Sequence, residues 1–164
     1  MSNTESKQHV LSRMDEEWPK FRSLMESVAD EDWDIPGVTD DWCLKEMIGH
    51  VNFWAKKAET DITLAAQGKA SQIKTPGGQE NVDKWNAREA AKGKALSPSE
   101  LRLLVEKSHK AARAALEVAP EAALAIEVNG WSVGVRFAED TYRHYREHSE
   151  QITNWQRELE TTEA

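Results

Sequence analysis

Apolar residues recur at three- and four-residue intervals along almost the whole chain, the period of a helix that buries one face. Leu11, Met14, Trp18, Phe21, Met25 and Val28 form one such stripe and predict a first helix from about Glu5 to Ala29. Pro19 lies inside it. A proline nitrogen cannot bond the Asp15 carbonyl, which predicts a kink or a restart near Trp18. Asp34-Ile35-Pro36-Gly37 is a turn signal. A second helix is predicted from near Trp42 to near Gly68, with Leu44, Met47, Ile48, Val51, Trp54, Ala58 and Ile62 on its apolar face and Asp40 and Asp41 placed to cap it.

Thr75-Pro76-Gly77-Gly78 marks the stretch from Lys69 to Gln79 as a loop. Asn81 to Lys92 reads as a short helix with thin apolar content, Val82 and Trp85 among alanines. Ser97-Pro98-Ser99-Glu100 opens the next helix, with serine as cap, proline at the first helical position and glutamate completing a capping box. That helix should run to about Val118 with Leu101, Leu104, Val105, Ala112, Ala115 and Leu116 inward, and Pro120 should stop it. Asn129-Gly130-Trp131 is a turn, and a last long helix follows from between Val133 and Arg136 to about Glu158. Period-two alternation is absent except for a possible short piece near Ala125 to Val128. The expectation is an all-α fold, a four-helix bundle with one short additional helix, in one domain over residues 1–164.

Composition narrows the function class. A chain of 164 residues buries enough surface to fold without staples. The lone cysteine, Cys43, allows no internal disulfide, which fits a reducing compartment. Met1 to Gln8 is polar and does not read as a signal peptide, and no apolar run reaches a membrane span. A net charge of −8 with no evident basic face argues against binding nucleic-acid phosphates. A cytoplasmic protein with a small-molecule partner, bound neither to nucleic acid nor to membrane, is the expectation. Seven tryptophans suggest either packing anchors or a pocket lining, and an excess beyond one small core would suit a dimer interface.

The candidate chemistry lies in the histidines. His144 and His148 stand four apart, about 40° from each other around a helix, so two imidazoles on adjacent turns can share a metal ion. His50 sits between Met47 and Trp54 on the apolar face of the second helix and can supply a third nitrogen. Three nitrogens with an open fourth position is the arrangement of a catalytic site. A satisfied core histidine and a solvated histidine pair are the plainer alternatives. Asp140 and Gln151 fall within about 40° of His144 on the same stripe and are candidates to orient the imidazoles or a nucleophile. Trp54, Trp85 and Asn86 are candidates for pocket lining, with ordinary packing or capping as the alternative. The run His144 to His148 also spells the inverted zinc-peptidase signature, but Glu147 lies about 60° off His144 and that chemistry needs a larger scaffold. His9 and His109 stand in polar surroundings and read as surface residues.

Three segments resemble a known family. Asp41-Trp42-Cys43-Leu44 through His50 is similar to the second-helix signature of DinB/YfiT-like proteins. His144-x-x-x-His148-x-x-Gln151-Ile152 is similar to their last-helix motif, and Val82-Asp83-Lys84-Trp85-Asn86-Ala87 resembles the middle segment of the ClbS/DfsB branch. Cys43 stands where a serine or threonine cap is usual, Glu147 where many relatives carry another histidine, and Glu150 where many have glycine. The resemblance implies a DinB-like bundle, often a homodimer, with zinc or nickel held by His50, His144 and His148. The family it points to includes thiol-dependent transferases and isomerases, and a metal there could activate a water or a low-molecular-weight thiol, so the expectation is a hydrolase or a thiol-dependent transferase acting on a small electrophile. The alternative it offers is a protein that sequesters a toxic small molecule in self-protection.

Overall fold

The computed structural model describes residues 5–163; the first four residues of the polar Met1 to Gln8 stretch lie outside them. The fold is 76% helical, with one two-stranded sheet. In chain order it comprises α1 (Lys7–Ser27), α2 (Leu44–Ala66), α3 (Gln79–Lys94), α4 (Pro98–Val118), α5 (Glu121–Leu124), β1 (Glu127–Val128), β2 (Trp131–Ser132), α6 (Val133–Asp140) and α7 (Tyr142–Glu163). Helices α1, α4, α2 and α7 close a ring of neighbours, and α3 and α6 pack on α2. No helix among the described residues is long and apolar enough to cross a membrane.

The apolar stripes account for this packing. One core cluster gathers Met14, Ile62, Leu116, Leu124 and Phe137. A second gathers Phe21, Trp33, Ile48, Leu101, Tyr145 and Ile152. Removing such side chains from water is the main drive for assembly, at ~25 cal/mol per Å² of apolar surface. The capping box at Ser97 forms as expected: Ser97 Oγ accepts from Glu100 N (3.2 Å) and Glu100 Oε2 accepts from Ser97 N (2.9 Å).

Several local expectations are corrected. Helix α1 runs through Pro19 without a restart, and Pro19 and Asp15 are both on its exposed side, where water can take up a carbonyl left without a donor. The cap of α2 is Cys43, one residue before the helix, and its N–H donates to Glu46 Oε1 (3.1 Å). Asp40 instead takes a left-handed backbone (φ 48°) in the preceding turn. Leu104 is 39% exposed, so the inward face of α4 passes it by. The last helix is two helices, broken at Thr141 (φ −120°, ψ −101°), whose hydroxyl donates back to the Phe137 carbonyl (2.7 Å). Asn129 and Gly130, both at positive φ, form the tight turn that joins β1 to β2.

Helix α3 sits unusually close to α2. A Cβ at Gly49 would lie 2.7 Å from Gly93 Cα, and one at Gly93 would lie 2.5 Å from the Lys45 carbonyl oxygen. Only glycine at both positions allows this approach. It brings Trp85 and Asn86 of α3 against Trp54 of α2, the helix on which His50 directly follows Gly49.

Candidate metal centre

Helix α2 presents His50 and α7 presents His144 and His148, and the structure brings the three together. One ring nitrogen from each lies within 4.8 Å of the others, and the ring centroids are 4.4 to 5.2 Å apart. Nε2 of His50 and Nε2 of His144 face each other at 2.8 Å. His50 and His148 are buried, and His144 is half-buried with its Nδ1 out of reach of solvent.

The protonation states suit a cation. Burial, reinforced by His148, pushes the His50 imidazole down to about 3. Burial also lowers His144 well below its ordinary range and lowers His148. All three rings are therefore neutral near pH 7, and a neutral imidazole has one nitrogen lone pair to offer an ion. The His148 Nδ1–H donates to Gln151 Oε1 (2.6 Å), which fixes the tautomer and turns Nε2 inward. That Nε2 has no hydrogen-bond partner, nor have the Nδ1 atoms of His50 and His144. Buried polar atoms without partners are costly. A neutral, three-nitrogen donor set with such unsatisfied atoms fits a divalent ion of borderline softness.

A cleft of about 310 Å³ opens on the histidines, lined also by Trp54, Val82, Asn86, Arg136, Asp140 and Glu147. Trp54 Nε1 donates to Asn86 Oδ1 (2.7 Å), so two of the expected lining residues brace each other. Trp85 stacks behind Trp54 (6.1 Å between ring centroids) and faces a neighbouring cleft instead. Asp140 is buried with Oδ2 unpartnered, and burial pushes its carboxyl well above the usual carboxylate range. It is placed on α6, across the break at Thr141, so the stripe that placed it beside His144 is interrupted yet still ends at the cleft.

Sequence reasoning missed Arg136, and it missed the pair of half-buried Lys57 with buried Asp61 (2.9 Å) nearby on α2. Asp61 falls eleven residues after His50, about 20° round the same helix, so the period contained that signal. His109 is corrected from surface to core. It is 5% exposed, stacks on Trp18 (4.3 Å, 9°) and shares a hydrogen bond with the Tyr145 hydroxyl (2.9 Å). Its polar neighbours in sequence, Ser108 and Lys110, concealed that it lies four residues after buried Val105 and three before Ala112. His9 is at the surface as expected, near Glu5 (3.8 Å).

The family described as mycothiol maleylpyruvate isomerase N-terminal domain matches residues 14–149. No curated protein matches the chain. The crystal structure of an uncharacterised protein from Escherichia coli UTI89 superposes with a TM-score of 0.80 at 13% identity, covering 94% of this chain and 95% of that one. The colibactin self-resistance protein ClbS, solved in complex with double-stranded DNA, gives 0.80 at 14% identity, covering 94% and 98%. The mycothiol-dependent maleylpyruvate isomerase gives 0.76 at 18% identity, covering 90% of this chain but 61% of that one. At these identities the structural likeness is one of fold.

Proposed function

The chain belongs to the mycothiol maleylpyruvate isomerase N-terminal domain family, a DinB-like family, and from that premise we propose that it is a metal-dependent enzyme acting on a small electrophilic molecule. The reaction is a hydrolysis or a transfer to a low-molecular-weight thiol. The observation that supports it is the convergence of three neutral imidazoles, with unpartnered ring nitrogens, at the floor of a cleft. His50, His144 and His148 would hold the ion, zinc or nickel. The ion would supply Lewis acidity toward an electrophile and acidify a water or thiol. The named relative that depends on mycothiol supports the thiol.

The remaining roles belong to the chain's own groups. Gln151 holds His148 in the ligating tautomer through Nδ1. Asp140, whose carboxyl burial pushes well above the usual carboxylate range, lines the cleft as the group to give a proton to a leaving group. Trp54 and Asn86 form one rigid wall that positions substrate and keeps out water. Trp85 serves from behind that wall.

The second reading is sequestration without turnover, supported by likeness to a self-resistance protein. One experiment separates the two. Metal-loaded protein is incubated with an excess of electrophiles, with and without a low-molecular-weight thiol, and product is counted by mass spectrometry. Product beyond one equivalent, lost in His148→Ala, supports the enzyme. Uptake that stops at one equivalent supports sequestration, and indifference to His148 overturns both.

A cytoplasmic homodimer completes the proposal. Its support is narrower than the tryptophan count suggested. Trp131 is the exposed one at 50%, and the apolar surface on α4 is Leu103 (70%), Val118 (83%) and the edge of Leu104. Sedimentation in the micromolar range should show a dimer, and a monomer throughout would refute it.

A further inference from the structure

Two of the three histidines sit on the first two turns of α7, which begins afresh after the break at Thr141. A helix that begins at a break takes its rotation about its own axis from side-chain contacts, and that rotation decides where His144 aims. Tyr142 falls about 160° round the helix from His144, so the two side chains leave opposite faces. Whatever holds Tyr142 on one face therefore sets the direction of His144 on the other.

That hold comes from the other end of the chain. Tyr142 is buried, and its hydroxyl meets both oxygens of the Glu5 carboxylate (2.7 and 3.0 Å). Arg143 Nη2 donates to the same carboxylate, while Arg143 Nη1 donates to Glu139 Oε1 on α6 (2.6 Å). The guanidinium thus spans the break, with Glu5 on one side and Glu139 on the other. Lys7 pins the segment that carries Glu5. Its Nζ donates to the Glu117 and Ala119 carbonyls at the end of α4 (3.0 and 2.8 Å), and its backbone N–H donates to Glu121 Oε1 (3.0 Å). The Glu5 side chain is only 11% exposed, so water competes weakly for these bonds. We propose that Glu5 is a positioning residue for the metal centre: its carboxylate fixes Tyr142 and Arg143, and through them the aim of His144. The inference rests on the metal reading of His144, but the clamp itself forms without an ion.

Two measurements test it, one of which needs no metal. In metal-free protein, Glu5→Ala should speed amide hydrogen exchange at residues 142–146 by a larger factor than in the middle of α2. Loaded with zinc, the same variant should lose about tenfold in affinity by competition with a chelator. Tyr142→Phe should weaken zinc as well, and the double variant should bind no worse than Glu5→Ala alone, because its second change removes a bond already lost. Arg113→Met is the control for a merely structural role. It breaks the pair with Asp15 (2.6 and 2.8 Å), which ties α1 to α4 and bonds nothing on α7, and it should leave zinc affinity unchanged. Should Glu5→Ala fail to fold, Glu5→Gln carries the test: it keeps an acceptor for the Tyr142 hydroxyl, loses the charge beside Arg143, and should show a smaller fall. Exchange at 142–146 no faster than in the wild type, or an unchanged zinc affinity, would overturn this inference and leave the metal reading standing. So would an equal fall in Arg113→Met. A wild type that binds no zinc would overturn both.

Discussion

Buried histidine occurs in two settings in this bundle, His109 on α4 and the cluster shared by α2 and α7, and they differ in what their nitrogens meet. His109 and His50 are both nearly sealed from water, and burial pushes both imidazoles down, to about 4 and about 3. Depressed basicity therefore does not distinguish them. His109 is packed against Trp18 and bonded to Tyr145, a hydroxyl that burial drives well above its ordinary range. It is a core residue with a polar partner. His50, His144 and His148 instead turn ring nitrogens toward one another, with His148 Nε2 unpartnered, where a cleft opens. Unsatisfied, convergent donors mark a site, whereas burial alone marks a core.

Breaking the open group should produce the largest effect. His148→Ala should abolish stoichiometric metal binding and any turnover while the protein stays folded; retained metal, read by mass spectrometry of its elements, would contradict the assignment. Acid should expose the closed group. A histidine whose folded pKa lies below its unfolded value of ~6.5 stabilises the fold fully above that pH and progressively less toward pH 4. For His109 the loss over that window is about 3 kcal/mol, from roughly 2.5 units at ~1.4 kcal/mol each. Urea unfolding at a series of pH values should show this limb in the wild type and a shallower one in His109→Leu.

At pH 8 the same variant leaves the buried Tyr145 hydroxyl without a partner, which should cost about 1–3 kcal/mol of stability. Its metal content should equal that of the wild type, and that equality sharpens the contrast between the groups. Gln151→Leu should have the smallest effect. Without its carbonyl the His148 ring loses its orienting partner, and metal affinity should fall by about tenfold or somewhat more by competition with a chelator. An unchanged affinity would show that packing alone holds the ring.

Much of this was legible in the chain. The period of the apolar residues gave the long helices, and the Ser97 capping box marked the start of α4 to the residue. The histidine spacing was readable because α2 and α7 are regular where it matters. What escaped depended on contacts between elements. The break at Thr141, where the hydroxyl bonds the Phe137 carbonyl, leaves no mark in the hydrophobic period. His109 lay on the buried stripe of α4, but its sequence neighbours are polar and its partners, Trp18 and Tyr145, come from other helices. The close approach of Gly49 to Gly93 fixes α3 and with it the clefts, and an isolated glycine in a helix does not announce what it touches.

The most direct test is the metal content of the untagged protein, joined to X-ray absorption at the edge of whichever element is found. The account predicts one divalent ion per chain bound by three imidazole nitrogens, at about 2.0–2.1 Å if it is zinc. It predicts none in the variant with His50, His144 and His148 all replaced by alanine. A wild-type protein that binds no divalent ion when dialysed against zinc or nickel at pH 8, or one whose ion survives loss of all three histidines, would contradict it.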